Sequence, residues 1–423
     1  MAYIHKLKKI IGRILYTSVD FFVYHDSKFA EVLTSSYGIV IKTFRQLKVR
    51  LFPVEWLDEK KEQVRAILDP EETYYSYGLK HIDGTQRVVQ VTLPAINLYH
   101  FENARISVLS SSILLDNKII IERVEGLDVR RCNYSSGHVF MHGQKSALVR
   151  DLQTEHLEQG IFLGGNGSSN YYHWMIEILP KLKYLKKLEE YGYDGFPLLV
   201  SEDVDHIKTF REALNYVVKD KPVVMLNKDK AYCVRNLVYV NAPNNLPFNL
   251  RRREKMMVSD FLMRPSSINF LQNCLNSIVG LPSPEKGSPR LFFSRRNERR
   301  HYNEQEIFEI FKQYGFQKVF MEELSLKEQI TLMSNAEVIA GPTGAAWTNL
   351  IFCGKGLKCL CWMADGYGDF SAFSNLAMIV GADMRYITFK TDAKSIAELY
   401  DSNYHIEAKR IRQGLETLLG PAT

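Results

Sequence analysis

The chain has 423 residues, 46% of them hydrophobic and 24% charged, with a formal net charge of +6 and six cysteines. That length suits two or three domains with cores of their own, and the composition excludes a disordered or low-complexity protein. Six cysteines in so long a chain make no disulfide scaffold and read as reduced, structural thiols; the small positive excess suits an anionic substrate or a membrane surface.

Ile4, Leu7, Ile10, Ile11, Ile14 and Leu15 recur at helical spacing between Lys6, Lys9 and Arg13, and a second basic and apolar patch follows at Lys42, Arg45, Lys48, Arg50, Leu51 and Phe52. Such a stretch lies in a membrane interface or packs on the first domain as an ordinary amphipathic helix. Lysines and Arg13 interrupt any secretory core, and no run reaches the roughly 18 apolar residues of a membrane span. The expected location is therefore cytoplasmic, with peripheral membrane contact through the N-terminus. Residues 1–85 read as an N-terminal extension, in which the charge-rich stretch 54–74 is partly helix-like. Strands are expected at 88–93, 106–112, 118–124 and 138–149, followed by a helical pattern from Tyr171. A strand at 197–201, a helix at 204–218 and strands at 223–226 and 237–240 complete a first domain, 86–245. Residues 241–249, rich in Asn and Pro, read as an interdomain linker.

A second domain, 246–395, alternates more regularly. A strand at 290–294 precedes a helix at 304–314, with Asn303 and Glu306 at capping-box spacing and Gly315 closing it. A strand at 316–320 then precedes a helix at 326–335, with Ser325 and Glu328 at the same spacing. A strand at 337–340, a helix at 344–350 and a strand at 358–362 follow. Short strands alternating with helices of about ten residues predict parallel sheets covered by helices, with ligands at the carboxyl ends of the strands. The last residues, 396–423, are expected to form a helix that packs back on the first domain.

Three segments carry candidate chemistry. In 164–177, Asn170 can cap a helix on which His173 and Glu177, four residues apart, share a face that continues through Pro180 and Lys181. A His–Glu pair is a general-base arrangement, or a structural hydrogen bond. The flanking Tyr172, Trp174, Met175, Ile178 and Leu179 read as the packed side. The second segment runs from Ser294 through Arg295, Arg296, Arg299 and Arg300, directly after a buried strand. Guanidinium forks there suit phosphate oxygens, or form a solvated basic face; Glu298, Glu304, Glu306 and Glu309 argue against nucleic acid. The third holds Gly341, Thr343, Gly344, Ala345 and Asn349 between a strand and a helix. It is an anion site at a helix start, or a tight turn, and it fits neither the ATP phosphate loop nor the dinucleotide signature. The second and third segments together would hold a diphosphate. Metal ligation finds no pattern: Cys359 and Cys361 share one face of a strand without further ligands nearby and read as core.

Asn170–Trp174, then Ser294, Arg295 and Arg299 with Asn303-Glu304, then Gly341, Gly344, Ala345 and Asn349 form blocks that resemble glycosyltransferase family 61, over residues 160–385 or so. The resemblance implies a GT-B-like α/β fold, two facing Rossmann-like domains with a central cleft. It implies an inverting transfer, without an essential metal or other cofactor, from a nucleotide-sugar donor (a UDP-sugar expected) to a hydroxyl of a glycan or lipid-linked glycan, such as a capsular or other surface polysaccharide. Ser294, Arg295, Arg299, Thr343, Gly344 and Ala345 become diphosphate contacts, His173 or Glu177 the base, and Asn170, Tyr172 and Asn349 acceptor or cleft residues. Where family members carry an acidic residue near the ribose, this chain has Cys361, Trp362 and Met363, with Asp365 later. The competing reading is a non-enzymatic module for anionic glycans or phospholipids.

Overall fold

The computed structural model describes residues 49–124, 131–218, 220–247, 249–251, 254–278, 289–296, 299–393 and 395–420. The amphipathic pattern at Ile4–Leu15 and the basic residues Lys42, Arg45 and Lys48 lie outside these.

The first lobe is built on a mixed sheet of eleven strands. Its strands are β1 (Val49–Trp56), β2 (Val64–Asp69), β3 (Glu72–Tyr77), β4 (Val88–Leu93), β5 (Ile96–Ile106), β6 (Ser112–Leu115), β7 (Lys118–Ile121), β8 (Val139–His142), β9 (Ser146–Arg150), β10 (Thr154–Leu163), β11 (Leu198–Ser201), β12 (Val223–Leu226) and β13 (Ala231–Val240), of which β3 and β4 pair apart as a hairpin. The order is β12-β11-β10-β13-β5-β6-β7-β1-β9-β8, with β2 on β5. Only β12-β11-β10-β13 and the β1–β7 pair run parallel. The rest is antiparallel, as short connections such as the two residues between β6 and β7 require. Two expectations are corrected here. Stretch 54–74 is strand interrupted by two short helical turns, not partly helix-like: burial alternates along β2, with Arg65 and Ile67 exposed and Leu68 buried. Residues 107–111 form a turn, closed by Ser110 N–H on the Ser107 carbonyl at 2.9 Å, and not a strand.

The second lobe carries β14 (Arg290–Phe293), β15 (Phe316–Val319), β16 (Val338–Pro342), β17 (Lys358–Ala364) and β18 (Asp383–Phe389), all parallel in the order β15-β14-β16-β17-β18. The chain steps outward from β14 to β15, then returns to the other side of β14 as β16. The crevice between the ends of β14 and β16 is thus the point where strand order reverses, the usual ligand position in an open α/β sheet. The helix Leu326–Asn335 starts with the expected box: Ser325 accepts from Glu328 N–H, and Glu328 accepts from Ser325 N–H at 2.7 Å. Asn303 does not cap helix Glu304–Gln313. Its amide instead bonds both backbone groups of Ile406 at 3.0 Å, anchoring the C-terminal segment. That anchor bears on the last helix, Ala408–Leu419, which lies against β17, β18 and helix Glu304–Gln313 rather than on the first lobe. Gly414 permits the approach, since a Cβ there would meet Ile387 at 2.8 Å and Leu360 at 3.2 Å.

The lobes share one apolar core that runs from Leu163 and Trp174 to Phe292 and Trp362. Trp174 stacks on Phe210 at 5.2 Å, and Glu212 accepts from Leu326 N–H across the lobes at 2.8 Å. The β3–β4 hairpin and the residues between its strands reach across as well. Tyr77 N–H bonds Asn375, Lys80 pairs with Asp383 at 2.6 Å, and Tyr386 N–H bonds the Lys80 carbonyl. The expected linker is itself pinned. Pro180 has no N–H to offer the carbonyl four residues back, and the Asn244 amide takes its place, donating to Ile176 O at 2.6 Å. Asn244 also accepts from Arg264 N–H at 2.7 Å and Ser267 Oγ at 3.0 Å. Asn244→Ala orphans those buried groups and should cost about 3 kcal/mol; a denaturant midpoint unchanged from wild type would contradict this role for the side chain.

None of the six cysteines is disulfide-bonded, and Cys359 and Cys361 are fully buried in β17, as core residues would be. No helix among the described residues is long and apolar enough to cross a membrane.

Candidate active site

At the end of β14 the chain turns at Ser294, whose N–H bonds the Val319 carbonyl and whose buried hydroxyl donates to Glu304 at 2.5 Å. Ser294 is thereby engaged in the strand-end framework. Arg295 crosses the crevice to the end of β16, where its guanidinium donates to the Thr343 carbonyl. The glycines make room for that crossing. A Cβ on Gly341 would sit 2.7 Å from Phe293 Cβ, and one on Gly344 would collide with Arg295 Nη2. Gly344 has an extended backbone that any residue could adopt, so its constraint is space alone. Thr343 does not cap the following helix; its N–H bonds the Trp362 carbonyl. That helix, Ala345–Phe352, is wound tightly with three residues per turn, held by Trp347 N–H on Gly344 O and Trp347 Nε1 on Pro342 O, both at 3.0 Å.

The arginine block divides. Arg299 leaves the crevice: its side chain is 70% exposed and meets Asp401 at 3.6 Å. Arg300 takes the inward position, helped by a left-handed backbone (φ 58°) that non-glycine residues seldom adopt. It approaches the Tyr367 hydroxyl at 3.4 Å and the Tyr400 ring at 5.9 Å. Arg295, Arg300, Thr343, Tyr367, Thr391 and Tyr404 line a pocket of about 320 Å³. Burial, and then the charge of Arg300, pull the Arg295 guanidinium below the ordinary arginine range. Two crowded guanidiniums in a desolvated pocket are stabilised by an anion. The buried Thr391 Oγ lacks a hydrogen-bond partner among the described residues and borders the same space. Gly344→Ala should push the guanidinium off the Thr343 carbonyl and weaken binding of an anion such as pyrophosphate by about tenfold, read by titration calorimetry; an unchanged affinity would mean that the Arg295 position is immaterial.

Across from this pocket, Asn170 caps the helical segment 171–193 by accepting from Tyr172 N–H at 2.9 Å. From Trp174 to Ile178 the helix is wound one residue wider than an α-helix, a form that recurs at functional sites. His173 Nδ1 is hydrogen-bonded to Glu177 Oε2, and Glu177 Oε1 accepts from Leu246 N–H at 2.6 Å. The carboxylate is thus held from two sides and fixes the ring. Tyr172 is buried with its ring edge-on to His173 (5.6 Å) and to Phe373 of the second lobe (5.7 Å). Asn349 is also buried, accepting from the Tyr171 hydroxyl at 2.8 Å. Both residues therefore join the lobes; neither is an open cleft surface.

The structure thus brings the three segments together pairwise: Tyr171 with Asn349, and Arg295 with Thr343 and Gly344. A row of rings, Tyr172–Phe373–Phe370–Tyr367 at 5.7, 5.6 and 6.0 Å, runs from the His173 helix to the Arg300 pocket. Sequence reasoning selected Arg299 over Arg300, passed over Thr391 and Asn244, and named Lys181 only as a continuation of the His173–Glu177 face. A lysine four residues after Glu177 within an apolar helical run was the one visible signal for the last. Among the described residues no group of three or more His, Cys, Asp or Glu could hold a metal ion.

Residues 171–360 match the family model described as Glycosyltransferase 61. No curated protein matches the chain.

Proposed function

Since residues 171–360 match the model of Glycosyltransferase 61, we propose that the chain is an inverting, metal-independent transferase with a GT-B-like division into a first lobe, whose sheet begins at β1, and a second, 246–395. It moves a sugar from a nucleotide-diphosphate donor, a UDP-sugar, to a hydroxyl of a growing glycan such as a surface polysaccharide, working in the cytoplasm at a membrane face. The observation that carries this reading is the Arg295 guanidinium seated under Gly344 beside Arg300, at the reversal point of the second sheet. The diphosphate would replace the repulsion of these two cations with paired charge, and the Thr391 hydroxyl is available to the ribose.

In the proposed step His173 takes the acceptor hydroxyl's proton on Nε2, since Nδ1 is bonded to Glu177. The acceptor oxygen attacks the anomeric carbon from the face opposite the diphosphate. The carbon–oxygen bond to phosphate breaks, and its electron pair leaves with the diphosphate. Arg295 and Arg300 meet the charge that develops there, the work a divalent cation does elsewhere. The family match weighs against the binding-only module. The test is a panel of UDP-, GDP-, CMP- and dTDP-sugars, followed by binding and slow hydrolysis with and without EDTA. UDP-sugars should bind and turn over with chelator present; loss of turnover on chelation sinks the metal-free part, and preference for another nucleotide sinks the donor.

A further inference from the structure

The first sheet ends on β12, which among the described residues pairs with β11 and with no other strand. Leu198 N–H bonds the Pro222 carbonyl at 2.8 Å, and Glu202 N–H bonds the Leu226 carbonyl at 2.9 Å. Alternate residues of a strand serve the same neighbour, so Pro222, Val224 and Leu226 turn their backbone groups to β11. Val223 and Met225 turn theirs outward. A row of outward backbone groups is a template for another strand.

Proline, lysine or a covering segment usually blunts such an edge, and none does so at β12. Pro222 belongs to the set that faces β11, so the N–H it lacks is not an outward donor. Lys221 folds back on its own chain: its Nζ donates to the carbonyls of Tyr193 and Asp194 at 3.1 and 2.5 Å, and its side chain is 6% exposed. The second sheet shows the contrast. Tyr386 N–H of β18 bonds the Lys80 carbonyl at 2.8 Å, and β15 carries Gln317 and Lys318 among its residues. β12 instead presents two apolar side chains, Val223 and Met225, at 37% and 41% exposure.

The segment's own symmetry decides what covers it. With a second copy set antiparallel about a two-fold axis at Val224, each Val223 faces a Met225 of the other copy. These outward residues become hydrogen-bonded pairs that exchange both N–H···O bonds, and Val224 meets Val224 at the non-bonded position that its inward backbone requires. A slip of one residue would bring inward-turned groups to the seam. Asp220 and Lys228 stand equally far on either side of Val224, and both are exposed. The two-fold sets each Asp220 against Lys228 of the other copy; Lys228 meets its own Asp203 only at 3.5 Å and keeps 46% of its side chain exposed. Centring on Val223 would put Asp220 against Leu226. Centring on Met225 would call on the Asn227 N–H, which the Tyr232 hydroxyl already accepts at 2.8 Å.

We infer that β12 is a dimer edge, which pairs antiparallel with β12 of a second copy of this chain about a two-fold axis at Val224. The pairing joins two eleven-stranded sheets into one through an interface of identical halves.

The test is sedimentation velocity on the full chain over about 1–100 μM, with circular dichroism to follow folding. The wild type should pass from monomer to dimer within that range. Met225→Pro removes an outward N–H and no bond to β11, at a kind of position where edge strands accept proline. The loss counts twice across the two-fold, so the dissociation constant should rise by about tenfold or more. Asp220→Lys changes an exposed residue and keeps the test open if the proline variant misfolds. It should weaken the dimer by about fivefold, and Lys228→Asp added to it should restore the wild-type value. A wild type that stays monomeric throughout, a folded Met225→Pro chain that dimerises as well as the wild type, or a double charge reversal no tighter than Asp220→Lys alone would each overturn the assignment.

Discussion

Replacement of His173 by alanine is expected to lower turnover by about 10²–10⁴-fold while UDP affinity stays at the wild-type value. The magnitude is that of a positioned general base. The separation of effects follows from place: His173 bonds Glu177 in the first lobe, whereas the pocket with Arg295 and Arg300 lies on the second. Glu177→Gln should lose a smaller part of the same rate, because an amide can still hold the ring but cannot stabilise the imidazolium that forms. It also keeps an acceptor for Leu246 N–H, so the backbone there should not move. Single-turnover kinetics with donor and acceptor both saturating read the chemical step directly. Full turnover in His173→Ala would place the base elsewhere and reduce the His–Glu bond to a structural one.

The second large effect belongs to Arg295. Arg295→Ala should lower turnover by about 10²–10³-fold, as removal of a preorganised charge stabiliser does, and should weaken UDP binding as well. Arg295→Lys should recover little, because a single ammonium cannot reach the Thr343 carbonyl and a phosphate with a planar fork. Arg299→Ala, at an exposed position whose one ion pair among the described residues is with Asp401, supplies the contrast and should leave UDP affinity within about twofold. Equal losses from Arg295 and Arg299 would show that diffuse basic charge, and not a placed guanidinium, attracts the donor.

The difference between these two arginines shows where sequence reasoning reaches its end. Both follow the same strand, and composition favours neither. A left-handed residue at Arg300 turns one side chain inward and leaves its predecessor outside. The regular alternation from 290 to 364 was legible within a residue or two because each element there carries its own signal, such as the Ser325–Glu328 box. The His173–Glu177 bond was legible for the same reason, being local to one helix. Several strands of the first lobe could be seen from 88 onward, but β5 and β10 were missed, and no strand's partners could be read. β5 joins β2, β6 and β13, and nothing in the run from Ile96 to Ile106 names those neighbours. Asn303 kept its expected partner Glu306 and still failed as a cap, since Ile406, about a hundred residues later, claims the rest of its amide. Asn244 was masked by company, one of several asparagines in a stretch that looks like a solvated linker until Pro180 leaves a carbonyl for it to satisfy.

The β3–β4 hairpin and its bonds to the last strand bear on how the chain is made. Tyr77 and Lys80 leave the ribosome early, yet their partners Asn375 and Asp383 come 298 and 303 residues later. Synthesis at roughly 5–20 residues per second keeps that edge waiting for tens of seconds, and closing so long a loop is slow because its entropy is lost before the contacts form. A nascent chain stopped after β17 would carry most of both lobes while the hairpin still lacked its dock. Such a fragment is a natural client for chaperones, and synthesis of the stretch from Ala372 to Phe389, which brings Asn375, Asp383 and Tyr386, is the step that releases it.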